Sequence, residues 1–144
     1  MISALTVALD CEVFASDTML YVNEANLSTY ADASVVCGPV LTMVAKKNGK
    51  SLGEAVINPT IIVEVLSEST ERYDRDGKFG AYSQLPSLQE YVLVTQDERR
   101  VEVFRRPAAG ADWTCEVGRS GGAVTIHGAS IEVDSIYARE SVSR

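Results

Sequence analysis

TIIVEVLS, residues 60–67, is the stretch on which the fold turns. Ile61, Ile62, Val63, Val65 and Leu66 are apolar and β-branched or bulky, with no alternation between faces. That pattern predicts a central strand covered on both sides rather than a half-solvated one. Asn58-Pro59 punctuates the chain just ahead of it. Behind it, Ser67 to Asp76 is polar and turn-like, and residues 76–85 (DGKFGAYSQL) read as a helix. Phe79 and Tyr82 fall three apart on one face of that helix, and Pro86 ends it.

Working outward, the C-terminal half is a run of strands: EYVLVT (90–95), RVEVFRR (100–106), DWTCEV (112–117), AVTI (123–126) and SIEV (130–133). Asp97-Glu98 and Ala108-Ala109-Gly110 read as hairpin turns. Upstream, CEVFAS and TMLYVN alternate as two strands within Cys11 to Asn23, and ASVVC (33–37) is a short buried strand that stops at Gly38-Pro39. Residues 23–30 (NEANLSTY) read as polar turn formers. Residues 38–58, with KKNGK inside, read as a long connection of the kind that is mobile or functional. Residues 1–10 read as the end of a helix or a short strand. With neither repeat nor linker, residues 1–144 are expected to form one α/β (α+β) domain: a mixed sheet, one helix after the central strand, and a β-rich C-terminal half.

Composition narrows the function. The chain is 46% hydrophobic and 23% charged, ordinary for a globular protein, and carries 13 basic against 20 acidic residues, net −7. A general cationic coat for nucleic acid is excluded; phosphate binding then requires clustered bases or bound metal ions. Cys11, Cys37 and Cys115 are odd in number and widely spaced, so they read as reduced thiols of a cytosolic protein, with neither a disulfide framework nor zinc spacing. MISALTVALDCE lacks a basic n-region, so no signal peptide is expected, and no apolar run reaches the ~20 residues of a membrane span.

Glu64 is the residue the strand pattern cannot absorb. A carboxylate amid Ile61–Leu66 must find a metal ion, a cation or a hydrogen-bond network, because an unpaired buried charge costs several kcal/mol or protonates; a strand end reaching solvent is the bland alternative. Asp32 stands directly before ASVVC. If that strand pairs with residues 61–66, the two carboxylates converge into a hard oxygen site suited to Mg²⁺ or Mn²⁺. Lys78, on the helix, either pairs with Asp74 four residues earlier or swings over the strand ends toward a phosphate or a water. His127, the only histidine, has no sequence neighbour to share a metal and reads as a surface or strand residue. Ser67, Ser69 and Thr70 lie near no phosphate loop or nucleophile elbow. Arg99, Arg100, Arg105 and Arg106 form either a local basic rim or a solvated hairpin.

TYADASVVCG, NPTIIVEVLSESTERYDRDGKFGAY and LPSLQEYVLVTQDERRVEVFRR together resemble the Uma2 family (DUF820) of the PD-(D/E)XK restriction-endonuclease-like superfamily, from about Val13 to Tyr137. The resemblance implies Asp32 and Glu64 as the metal-binding acids and the Val65 carbonyl as a third ligand. The superfamily lysine falls two residues after the glutamate, where this chain has Leu66; Lys78 matches the family's alternative on the next helix. Tyr82 and Asp74 match supporting positions. The implied activity is Mg²⁺- or Mn²⁺-dependent phosphodiester hydrolysis of DNA, by a cytoplasmic protein acting as a homodimer. The alternative is an inactive nuclease fold used as a binding or assembly module. A metabolic α/β enzyme of another kind has no supporting motif. Two departures from the family pattern are expected to matter: the usual N-terminal segment of roughly 40–50 residues is missing, which exposes core surface that a homodimer would cover, and Ala31 replaces a proline beside the first acid.

Overall fold

The computed structural model describes residues 11–67 and 77–142, and the side chains up to Tyr137. The expectations for residues 1–10, for Ser69 and Thr70 and for the Asp74–Lys78 pair lie outside the described residues. Twelve strands are described: β1 Glu12–Phe14, β2 Met19–Val22, β3 Leu27–Tyr30, β4 Ala33–Val36, β5 Thr42–Lys47, β6 Lys50–Val56, β7 Ile61–Leu66, β8 Glu90–Thr95, β9 Arg100–Arg105, β10 Thr114–Arg119, β11 Ala123–Ile126 and β12 Ala129–Glu132. Two helices join them, α1 Phe79–Tyr82 and α2 Val133–Val142. The architecture is mixed α+β and mostly strand, as expected.

The main sheet runs β1-β4-β7-β8-β9-β10. The TIIVEVLS stretch supplies β7 near its centre, antiparallel to β4 and parallel to β8. Its lack of alternation reflects two covered faces. Ile61 and Val63 join one core with Val35, Val103 and the β11–β12 hairpin residues Val124 and Ile126. Ile62 and Leu66 join a second core with Tyr82, Leu85 and Tyr91, on the face where α1 lies.

The helix ends at Tyr82, short of the predicted residue 85; its α-helical part is Phe79–Tyr82, continuous with helical backbone at residues 77 and 78. Aromatic packing anchors it to the sheet. Phe79 stacks on Tyr91 at 5.4 Å and meets Phe104 and Trp113 at 5.1 Å, while Tyr82 meets Tyr91 edge-on at 5.5 Å.

Four expectations are corrected. The supposed connection 38–58 is the β5–β6 hairpin, whose Asn48-Gly49 tip has φ of 53° and 79°. Positive φ at both central residues is the turn an Asn-Gly pair favours, and the flanking strands escape notice because they are mostly exposed. Within the polar stretch 23–30, a 3-10 turn (Asn23–Ala25) leads into β3, an edge strand on β2 in a second sheet, β3-β2-β6-β5. The expected strand 130–133 ends at Glu132, and α2 begins at Val133, where Val133 and Ile136 sit three apart and buried. Finally, Cys11 and Cys37 are bridged rather than reduced. Antiparallel β1–β4 pairing sets Glu12 against Val36, so the next positions outward, 11 and 37, face each other with Cα atoms 4.6 Å apart, inside bridging range. Cys115 takes no part.

Packing on the hairpin side is tight at Gly118 of β10. A Cβ there would lie 2.5 Å from Val124 Cγ1 and 2.8 Å from Val133 Cγ2. Gly118→Ala is therefore expected to lower stability by about 1–3 kcal/mol through overpacking, read from the denaturation midpoint. No loss would mean that β11 and α2 yield to the methyl group.

Candidate metal centre

The site grows out of one strand register. Ala33 pairs with Val63, so Asp32, one residue before β4, comes opposite Glu64 in the middle of β7. The two residues then grip each other crosswise. The Asp32 N–H donates to Glu64 Oε1 at 3.2 Å, and the Val65 N–H donates to Asp32 Oδ2 at 2.7 Å. Main-chain donors thus fix both carboxylates in neighbouring positions. Glu64 is only 2% exposed, while Asp32 and Val65 are half-buried.

The partner that Glu64 requires comes from α1. Lys78, at the start of the helix, donates Nζ–H to Glu64 Oε2 at 3.1 Å, and the buried Tyr82 hydroxyl donates to the same oxygen at 3.3 Å. Residues 78 and 82 are one helical turn apart, so a single turn aims both at one atom. Asp32, Glu64, Val65 and Lys78 are therefore brought together, with Tyr82 bonded directly to the acid it was expected to support. The donor set is two carboxylates, with the Val65 main chain bonded to one of them. These are hard oxygen ligands of one sign, which suit Mg²⁺ or Mn²⁺.

The basic rim does not form. Arg99 pairs with Asp134 at 3.0 Å, and Arg100 pairs with Glu102. Arg105 bridges Glu90 at 2.7 Å and Glu116 at 3.1 Å. Arg106 is buried over the Trp113 ring, 4.5 Å from its centroid, and donates to the carbonyls of Leu88 and Leu85 at 2.9 and 2.6 Å. Desolvation pulls the Arg106 guanidinium below its usual pKa, and the hydrogen bond from Arg105 to Glu90 holds that guanidinium above its own. The solvated-hairpin reading holds for the exposed Arg99–Asp134 pair but not for Arg100 and Arg105, whose partners Glu102 and Glu90 are buried, nor for the buried Arg106. Glu102 carries the same signal as Glu64, an acid between Val101 and Val103 in an apolar strand.

His127 sits at the tip of the β11–β12 hairpin, which packs on the sheet face opposite α1. Among the described residues no helix is long and apolar enough to cross a membrane.

Comparison with known proteins bears on this arrangement. The sequence pattern of the Uma2 family, described as "Putative restriction endonuclease", matches residues 2–132. Two proteins of Synechocystis sp. are similar: "Uncharacterized protein slr1290", 36% identical over 104 residues, and "Uncharacterized protein sll1609", 38% identical over 96. The matches take in 72% and 66% of this chain but 50% of each relative, so the chain spans about half the length of these curated relatives. A crystal structure from Anabaena variabilis ATCC 29413, titled as a "putative nuclease belonging to DUF820", superposes with a TM-score of 0.68 over 95% of this chain and 75% of its own. At 17% identity that likeness speaks for the fold. A family pattern that covers nearly the whole sequence, on a fold shared with a DUF820 structure, establishes that this chain belongs to the Uma2 family.

Proposed function

We propose that the chain is a divalent-metal-dependent endonuclease that hydrolyses phosphodiester bonds in DNA, with Mg²⁺ or Mn²⁺ held by Asp32, Glu64 and the Val65 carbonyl. The observation that carries this reading is the pair of main-chain bonds, Asp32 N–H to Glu64 and Val65 N–H to Asp32, which keeps two carboxylates in neighbouring positions beside a lysine. A bound divalent ion supplies Lewis-acid polarisation of the phosphate and lowers the pKa of a coordinated water. The protein's own contribution is order. Main-chain amides hold both acids in place before substrate arrives, so little reorganisation is needed. Lys78 sets an ammonium next to the carboxylates, where it orients the attacking water or offsets charge that develops on the phosphate. Tyr82 holds the same Glu64 oxygen as Lys78 and restrains the carboxylate's rotation. Because the β9 arginines are engaged elsewhere, attraction for phosphate on this net-acidic chain falls to Lys78 and the ion. Two subunits, each cutting one strand, are part of the proposal, as is a cytoplasmic setting.

One observation favours the competing reading of an inactive binding module: Lys78 already neutralises Glu64. Lys78→Met separates the two. The methionine keeps an apolar stem and removes the ammonium. For a nuclease, Mn²⁺ binding by titration calorimetry persists in this variant, while plasmid nicking falls about 10²–10³-fold, the scale of losing one electrostatic stabiliser. Wild-type protein that neither binds Mn²⁺ nor nicks DNA would support the binding module instead.

A further inference from the structure

Three side chains outside the carboxylate centre converge on a point that their sequence positions do not suggest. Cys11 precedes β1, Cys37 follows β4, and His127 caps the β11–β12 hairpin, yet their sulfur and imidazole nitrogen atoms all lie within 4.8 Å of one another. We propose that these residues form a redox-gated zinc site: closed as the Cys11–Cys37 disulfide, and able to bind Zn²⁺ through two thiolates and one imidazole once reduced.

The chemistry of the set is selective. Two thiolates and an imidazole are soft to borderline ligands, which suit Zn²⁺ and not Mg²⁺. Three protein ligands leave the fourth tetrahedral position to water or to an incoming group. Zinc bonds of ~2.3 Å to sulfur and ~2.0 Å to nitrogen set ligand atoms roughly 3.5–3.8 Å apart. The observed separations, within 4.8 Å, lie close to that spacing.

The histidine is held there by a built scaffold. His127 and Gly128 have φ of 50° and 80°, the two-residue turn that Asn-Gly or Gly-Gly fills best. Histidine, like asparagine, is among the non-glycine residues enriched at positive φ, so it fills the first turn position without a glycine and places its imidazole at the tip. Its backbone N–H donates to Glu90 Oε1 at 2.7 Å. Glu90 is 3% exposed and takes the Arg105 Nε–H on its other oxygen at 2.7 Å. Arg105 also donates to the carbonyl of Thr125, two residues before His127. A part-buried ion pair therefore clamps the β11 side of the turn that presents the imidazole. On the cysteine side, the Cys37 N–H donates to Thr60 Oγ1 at 3.0 Å, which ties that end of β4 to the start of β7.

The redox step balances simply. A dithiol reductant gives two electrons and two protons to the Cys11–Cys37 bond and leaves as its own disulfide. Zn²⁺ binding to the two thiols and the neutral imidazole then releases two protons to water. Because the same sulfurs serve both states, metal binding and the bridge exclude each other. A reducing compartment favours the metal form.

Co²⁺ serves as the probe, in the full chain carrying Cys115→Ser so that thiolate signals come from the pair alone. The phosphine-reduced, anaerobic protein is expected to take one Co²⁺ with thiolate-to-metal charge-transfer absorption, and added Zn²⁺ bleaches it. The oxidised protein shows no such band. His127→Asn keeps a residue that tolerates positive φ but supplies no imidazole; it weakens binding by more than the roughly 10–100-fold typical of losing an outer-shell partner. Asp32→Asn leaves the band in place, which separates this site from the carboxylate centre. A reduced protein without the band, a band of equal strength in the oxidised form, or a His127→Asn variant of unchanged affinity would each overturn the proposal.

Discussion

Replacing Glu64 with alanine is expected to abolish divalent-ion binding in titration calorimetry and to reduce DNA cleavage by roughly 10³-fold. That corresponds to about 4 kcal/mol of lost charge stabilisation, within the several kcal/mol that a Lewis-acid ion contributes. The same change also strips a buried acceptor from three donors: the Asp32 amide, the Lys78 ammonium and the Tyr82 hydroxyl. Removing one partner of a buried ion pair costs about 3–5 kcal/mol, and the Lys78 side chain, 15% exposed, recovers part of that by rehydration. Loss of stability could therefore mimic loss of function. Glu64→Gln keeps an oxygen for the Asp32 amide and removes only the charge, so it isolates the metal term. A folded Glu64→Gln protein that binds Mn²⁺ as tightly as the wild type would sink the metal-centre reading.

Arg105→Ala should produce the largest loss of stability among surface-reachable positions, about 3 kcal/mol, or a melting-temperature drop of roughly 10 °C for a chain of this size. The guanidinium holds Glu90, Glu116 and the Thr125 carbonyl, and Glu90 has almost no access to water once Arg105 is gone. Arg105 itself is one-third exposed, which keeps the expectation at the lower end of the buried-pair range. Arg105→Lys restores a charge without the planar fork, so it should recover only part of the loss. A change below ~1 kcal/mol would mean that the trio behaves as an ordinary surface pair. Mn²⁺ binding at Asp32 and Glu64 should not respond to either variant.

Sequence legibility differed by the kind of signal. β7 was readable because burial on both faces writes an unbroken apolar run, and Glu64 stood out because that run has no tolerance for a lone charge. Glu102 in β9 carries the same signal and went unread; its partner is the strand neighbour Arg100. β5 and β6 were hidden because exposed hairpin strands carry little apolar pattern, although Asn48-Gly49 announced their turn. α1 was recognisable but carried too far at its C-terminal end, which stops at Tyr82 where Phe79 and Tyr82 pack on Tyr91, Phe104 and Trp113.

By itself, the sequence determined the mixed strand-rich fold, the central strand, and the need for a partner at Glu64. These are consequences of local periodicity and of the cost of burying charge. Only the tertiary structure decided who the partners are. Asp32 meets Glu64 across 32 residues because of a strand register, Lys78 reaches Glu64 on the neighbouring strand, and Arg100, Arg105 and Arg106 engage carboxylates, carbonyls and a tryptophan ring. Likewise, Cys11, Cys37 and His127 share no spacing along the chain and meet only where two strand ends and a hairpin tip converge. Periodicity is a property of neighbours along the chain, whereas a site is a property of neighbours across the sheet, and only the folded register connects the two.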